Sequence, residues 1–173
     1  MKSKTGLLAL LLVLWCGCHH SGPQRPTQRL GSAPEPDSAQ LALLELNQRL
    51  AAAADRELAQ VIQTQDEAYA LYDLNTWMHI YDAGDENTPS PVQDDEWIIR
   101  MRTYNLAGQL LIDTEGTYRI GRHELPPAVD TNIRDLHHGA RVRLYVPWYA
   151  AYGLTGTEHV GPYENVIIEI ELR

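Results

Sequence analysis

The sequence predicts an α+β domain, built of several antiparallel strands and one short helix and preceded by a longer N-terminal helix. Three observations predict it. Leu43, Leu46, Leu50, Ala54, Leu58, Val61 and Ile62 form an apolar stripe at helical spacing. From Leu74 onward the chain changes to short β-rich runs, of which Arg141–Val146 alternates most cleanly. Within that second part only residues 130–138 read as helix. No internal repeat is present.

In chain order, Lys2 and Lys4 precede an apolar run from Leu7 to Trp15. The run is too short to span a bilayer, and with its basic start it reads as a secretory signal over residues 1–17. The chain has two cysteines, Cys16 and Cys18, so no disulfide framework exists. Cys18 follows the small Gly17, whereas Cys16 follows the bulky Trp15. The pattern resembles a bacterial lipobox and implies that Cys18 is the lipidated first residue of the mature chain. His19 follows it where aspartate would signal inner-membrane retention, which points to the outer membrane, facing the periplasm. Residues 18–37 are rich in Pro, Ser, Gly and Gln and read as a disordered tether.

The formal net charge is -9. No lysine lies beyond Lys4, so every later cation except histidine is an arginine. An acidic domain without a basic cluster is a poor partner for nucleic acid. Electrostatics will not draw it to anionic lipid either, so the expected membrane link is the acyl chains.

Asp37 or Ser38 can cap a helix spanning 38–66, and Ala51–Ala54 favour it by propensity. Its apolar stripe is narrow, so the helix must pack on its own domain, on a second copy, or on an envelope assembly. Trp77–Tyr81 is the first strand, ending at Ala83-Gly84-Asp85. A polar loop with Pro89 and Pro91 follows. Glu96–Tyr104 is a long strand with Trp97, Ile99 and Met101 on one face and Arg100 and Arg102 on the other. Asn105–Gly108 turns the chain, Gln109–Ile112 returns, and Thr117–Ile120 is a further short strand. After Pro126-Pro127 comes the helix over 130–138, which Gly139 ends. Arg141–Val146 stops at Pro147, and Val166–Leu172 closes the chain.

His137 and His138 read as partners of a helix dipole, and His123 and His159 as isolated loop residues. Glu169 and Glu171 alternate with Ile168 and Ile170 and read as the solvated face of a strand, not as an acid–base pair. No metal site and no cofactor are expected.

The segment Gly139–Leu172 resembles the C-terminal half of FKBP-type peptidyl-prolyl isomerases. The shared order is Gly139, the alternating strand Arg141–Val146, Pro147, Ala151-Tyr152-Gly153, a Gly/Pro loop from Gly156 to Pro162, and Ile170-Glu171-Leu172. The resemblance extends more loosely over 75–173, through Gly84-Asp85, the strand at 96–104 and Gly108. With its leading helix and lipid signal, the chain looks like the gliding-motility-associated branch of FKBP-type lipoproteins. The resemblance implies an antiparallel sheet wrapped around a short helix, and proline-containing polypeptides as substrates.

An X–Pro bond faces a barrier of about 18–20 kcal/mol and needs no covalent intermediate to cross it. A site can favour the twisted amide by excluding water and by donating to its carbonyl. The resemblance carries these roles to named positions. Tyr152 would donate to the substrate carbonyl, with Ala151 as its small neighbour and Val160 as the loop residue on the prolyl side. Leu111 would form a wall, with Ile112 or Asp113 at the following aspartate position. Leu125 and Pro126 would precede the central helix, Val129 would lie at the floor, and Ile168 and Met101 would stand at two further aromatic positions. The chain contains no phenylalanine, so the implied cup is aliphatic, with Tyr118 and Trp148 as the aromatic residues that could supplement it. Proline at 126 removes the amide that would hold a ligand carbonyl. Two functions follow: a lipid-anchored isomerase assisting exported proteins, or a non-catalytic FKBP-fold module for peptide binding or envelope assembly.

Overall fold

The computed structural model describes residues 37–173. The residues read above as a signal segment (1–17), as a lipidated Cys18 and as nearly all of a tether lie outside the described residues. Helix α1 spans Ser38–Ile62. Strand β1 is Ala70–Tyr72, β2 Thr76–Asp82, β3 Glu96–Asn105 and β4 Leu110–Arg119. Helix α2 is Pro127–Asn132, β5 Arg141–Val146 and β6 Val166–Leu172. The strands form one six-stranded antiparallel sheet in the order β1-β2-β5-β6-β3-β4. Among the described residues no helix is long and apolar enough to cross a membrane.

The core lies between the inner face of the sheet and α2. Ile99 and Met101 of β3, Val142 and Leu144 of β5, and Ile168 and Ile170 of β6 meet Ala128, Val129 and Ile133 there. Helix α2 starts at Pro127, three residues before the expected 130. A proline in the first turn loses no hydrogen bond, because that amide has no helical partner. The helix ends at Asn132, so His137 and His138 are not dipole partners. The His137 ring instead donates to the Thr88 carbonyl at 2.8 Å and ties down the polar loop after β2. Gly139 sits in the turn before β5, where its amide donates to the Leu172 carbonyl. The two short strands expected at 109–112 and 117–120 are one ten-residue strand, β4. Strand β1 gave no sequence signal: it is three exposed residues at a sheet edge, joined to β2 through left-handed Leu74 and Asn75 and not through a glycine.

The C-terminal half of α1 packs on its own domain. Ala54 and Leu58 are buried, the Tyr149 hydroxyl donates to Asp55 at 2.5 Å, and Asn165 donates to Glu57 at 2.8 Å. Asn165 also accepts the Trp148 amide at 2.9 Å, so α1 is wired to the turn that leads into Ala151 and Tyr152. Burial pushes the Tyr149 pKa up to about 12, and Asp55 adds to the shift. The N-terminal half leaves Leu41, Leu43, Leu44 and Leu46 exposed.

The outer face of the sheet carries charges in register. Glu115, Arg100, Glu171, Arg141 and Asp82 form one cross-strand row, and Asp113, Arg102, Glu169 and Arg143 a second. Alternating opposite charges on neighbouring strands stabilise a sheet. Glu169 sits at the centre, accepting from Arg143 at 2.6 Å, Arg102 at 3.0 Å and the Tyr104 hydroxyl at 3.1 Å. Burial alone would raise its pKa, but these donors outweigh it and hold the carboxyl below 4.5. Glu171 is lowered by Arg173. A carboxylate with a depressed folded pKa stabilises the fold above its unfolded pKa and loses that contribution as pH falls through the folded value. The urea midpoint is therefore expected to fall below pH 4.5 in the native protein, and to fall less over the same range in Glu169→Gln. Equal acid sensitivity of the two proteins would refute the role given to Glu169.

Candidate functional site

A cavity of about 440 Å³ opens on the inner side of the sheet, between β4, the loop leading to α2, and the turn after β5. Met101, Ile112, Tyr118, Leu125, Pro126, Ala151 and Tyr152 form its apolar lining, and Thr114, His123 and Glu124 stand among them. A smaller depression of about 250 Å³ lies on the outer face, among Tyr81, Arg100, Arg102, Arg141, Glu169 and Glu171. Its ionic groups largely answer one another, and it lacks a cup of apolar surface. The inner cavity is the candidate site.

Tyr152 is held by the short turn Trp148–Ala150, whose Trp148 carbonyl accepts the Gly153 amide at 2.8 Å. Its hydroxyl shares a hydrogen bond of 3.0 Å with the hydroxyl of Thr103, a fully buried residue of β3. Burial raises the Tyr152 pKa, and the Thr103 bond offsets part of the rise. The phenol is therefore a neutral donor across the physiological range. If Thr103 donates to the Tyr152 oxygen, the tyrosine proton is free to point into the cavity, and the chain of two hydroxyls strengthens it as a donor.

The structure brings Met101, Leu125, Pro126, Ala151 and Tyr152 together around the cavity. It places the other named residues elsewhere. Val129, Val160 and Ile168 are buried in the core and are not among the cavity-lining residues. Val129 follows the early start of α2 into the core, and the loop folded around Gly156 tucks Val160 inside. Ile168 is opposite Thr103 in the sheet. Asp113 is on the outer face, paired with Arg100 at 3.1 Å. Leu111 is half-buried and is not among the cavity-lining residues; Ile112 is.

The cause of that exchange is a bulge. Pairing runs Thr103↔Ile112 and then Tyr104↔Leu110, which leaves Leu111 without a partner. One extra residue reverses which side chains of the return strand face inward. Parity counted from Thr114, opposite Met101, would have found Ile112 and Tyr118. Thr103 also escaped notice, although a threonine in step with Ile99 and Met101 is a polar residue on a core-facing parity. Trp148 does not enter the cavity; it stacks edge-on against Tyr149 and Tyr163 beneath α1. Among the described residues no cluster of His, Cys, Asp and Glu could hold a metal ion.

Comparison with family models and with curated protein sequences returns no match. Solved structures do share the architecture. FkpA from Escherichia coli superposes with a TM-score of 0.60 at 16% identity, covering 78% of this chain and 63% of its own. This chain thus spans under two thirds of that protein. The peptidyl-prolyl cis-trans isomerase of Pseudomonas syringae pv. tomato gives a TM-score of 0.60 at 18% identity, covering 72% of this chain and 92% of its own. AtFKBP13 gives 0.53 at 17% identity, covering 60% of this chain and 95% of its own. At such identities the likeness is one of fold.

Proposed function

We propose, proceeding from the FKBP-type fold of this chain, that it is a peptidyl-prolyl cis-trans isomerase, tethered to the bacterial envelope by a lipid on Cys18 and acting on exported polypeptides. The Tyr152 hydroxyl carries this reading: it is backed by Thr103 and opens into an apolar cup. The cup removes the prolyl amide from water, and loss of hydration favours the less polar twisted state. Tyr152 supplies a donor for the rotating carbonyl. The signal segment, the lipid, an outer-membrane location and periplasmic substrates are parts of this proposal that rest on the sequence pattern of residues 1–37. The test is acceleration of X–Pro relaxation in short peptides by the purified protein.

A second reading, a module that grips proline peptides without turning them, draws on Pro126. This residue lines the cavity just before α2 and has no N–H to offer. Pro126→Val restores a backbone donor at that point. One added hydrogen bond of about 1 kcal/mol is expected to raise kcat/KM roughly fivefold. A rise in peptide affinity with no turnover in either protein would favour the second reading instead.

A further inference from the structure

Strand β4 is an edge of the sheet, and no strand pairs with the outer side of its backbone among the described residues. The side can be specified. The Arg173 amide donates to the Ile98 carbonyl, so Ile98, Arg100 and Arg102 turn their backbone groups toward β6. Ile99, Met101 and Thr103 then turn theirs toward β4, where they meet Gly116, Thr114 and Ile112. The backbone groups of Asp113, Glu115 and Thr117 consequently point away from the sheet. Arg119 has the same parity, and its amide is indeed capped from outside by the Glu124 carboxylate at 2.8 Å. Asp113, Glu115 and Thr117 have no such cap among the described residues.

The same strand supplies Ile112, Thr114 and Tyr118 to the cavity. The open edge and the cup are thus two sides of one strand. We propose that the substrate chain binds as an added antiparallel strand on β4, with its proline beside the cup; the proposal rests on the isomerase or proline-binding reading of that cavity. Strand geometry selects for proline at the right place. A residue of the added strand opposite Asp113 or Glu115 exchanges hydrogen bonds with it and points its side chain to the outer face. A residue opposite Thr114 points its own amide away from β4 and its side chain to the inner face. Proline, which has no amide, fits there at no cost in hydrogen bonds, with its ring on the cavity side. Gly116 has no side chain on that face, so the Tyr118 ring lies across it and its hydroxyl reaches Thr114 at 3.4 Å, giving the proline ring an aromatic neighbour.

The recognised class is therefore an extended segment with free amides on both neighbours of the proline. Those neighbours face Asp113 and Glu115, whose carboxylates are already engaged by Arg100 at 3.1 Å and Arg173 at 3.0 Å, so the charge of the flanking side chains adds little selectivity. Main-chain pairing of this kind gives affinity that depends little on sequence, as a chain meeting many unfolded proteins requires.

The test uses the purified protein and a synthetic peptide of about nine residues, enough to span the open stretch at strand spacing, with one central proline flanked by arginine and valine. Amide hydrogen exchange is followed by NMR together with shifts at Ala151 and Tyr152. The expected result is at least about tenfold slower exchange at Asp113, Glu115 and Thr117 on peptide binding. N-methylation of the peptide amide on either neighbour of proline should abolish that slowing, and N-methylation one residue further out should not. Cavity shifts with no slowing at the three edge amides would overturn the added strand and leave the cavity reading intact. Slowing at the edge with no acceleration of X–Pro relaxation would support the added strand and overturn the isomerase. Absence of both effects over peptides with different flanks would overturn both.

Discussion

Leu58→Ala is expected to destabilise the protein by about 3 kcal/mol, as large-to-small changes at well-packed sites do. Leu58 is fully buried, yet it belongs to α1 and not to the sheet. Its removal leaves a void under the helix, with Ala54 one turn away and polar pairs on both flanks. Asp55 takes the Tyr149 hydroxyl and the Asn75 amide, and Glu57 takes Asn165. These bonds hold only while the helix is seated. The loss should therefore appear in urea unfolding as one cooperative transition moved to lower denaturant, with little change in slope. Leu46→Ala, at an exposed position of the same helix, should change the midpoint hardly at all. A cost below about 1 kcal/mol for Leu58→Ala would mean that α1 is an appendage and that its wiring to Trp148 does not position the Tyr152 turn.

Gly156→Ala should cost about 3 kcal/mol. Gly156 has φ +64, a conformation that L side chains rarely adopt, and a Cβ there would lie 2.2 Å from the Val160 carbonyl oxygen. That oxygen accepts the Thr157 amide at 2.8 Å, so the obstacle is backbone in a tight turn and cannot swing aside. The turn is what delivers Val160 to the core. Gly153 provides the comparison, with φ +74 but nothing within 4 Å of a Cβ. Gly153→Ala should therefore show only the conformational part, about 1 kcal/mol. Thermal unfolding of the two variants side by side checks both figures. Equal losses would show that the close approach at Gly156 carries no weight.

The alternating strands were legible in the sequence because alternation is a direct consequence of a half-buried sheet. Arg141–Val146 and Val166–Leu172 lie where the pattern put them. The stripe of α1 was legible for the same reason, although only Ala54 and Leu58 of it became fully buried. What failed to show was register. The bulge between Thr103 and Tyr104 has no marker residue, so Leu111 was expected at a wall that Ile112 forms. The start of α2 was missed because Pro126-Pro127 reads as a break, while a proline inside the first turn is a helix beginning. Tyr152 was singled out through the run Ala151-Tyr152-Gly153, and it lies on the cavity wall. Thr103, which shapes its chemistry, lies 49 residues away in the chain and joins it only through the fold.

The central claim is that the cup around Tyr152 turns prolyl bonds. It is tested most directly by following cis-to-trans relaxation of short X–Pro peptides in the cold, with the native protein beside Tyr152→Phe. The account predicts clear acceleration by the native protein over the spontaneous rate, which runs to tens or hundreds of seconds at room temperature. It predicts about a tenfold loss in the variant, the value of one transition-state hydrogen bond of about 1.4 kcal/mol. Thr103→Val should lose activity in the same direction, since it removes the hydroxyl behind the phenol. No acceleration by a folded native protein across several X residues, or undiminished acceleration in Tyr152→Phe, would contradict it.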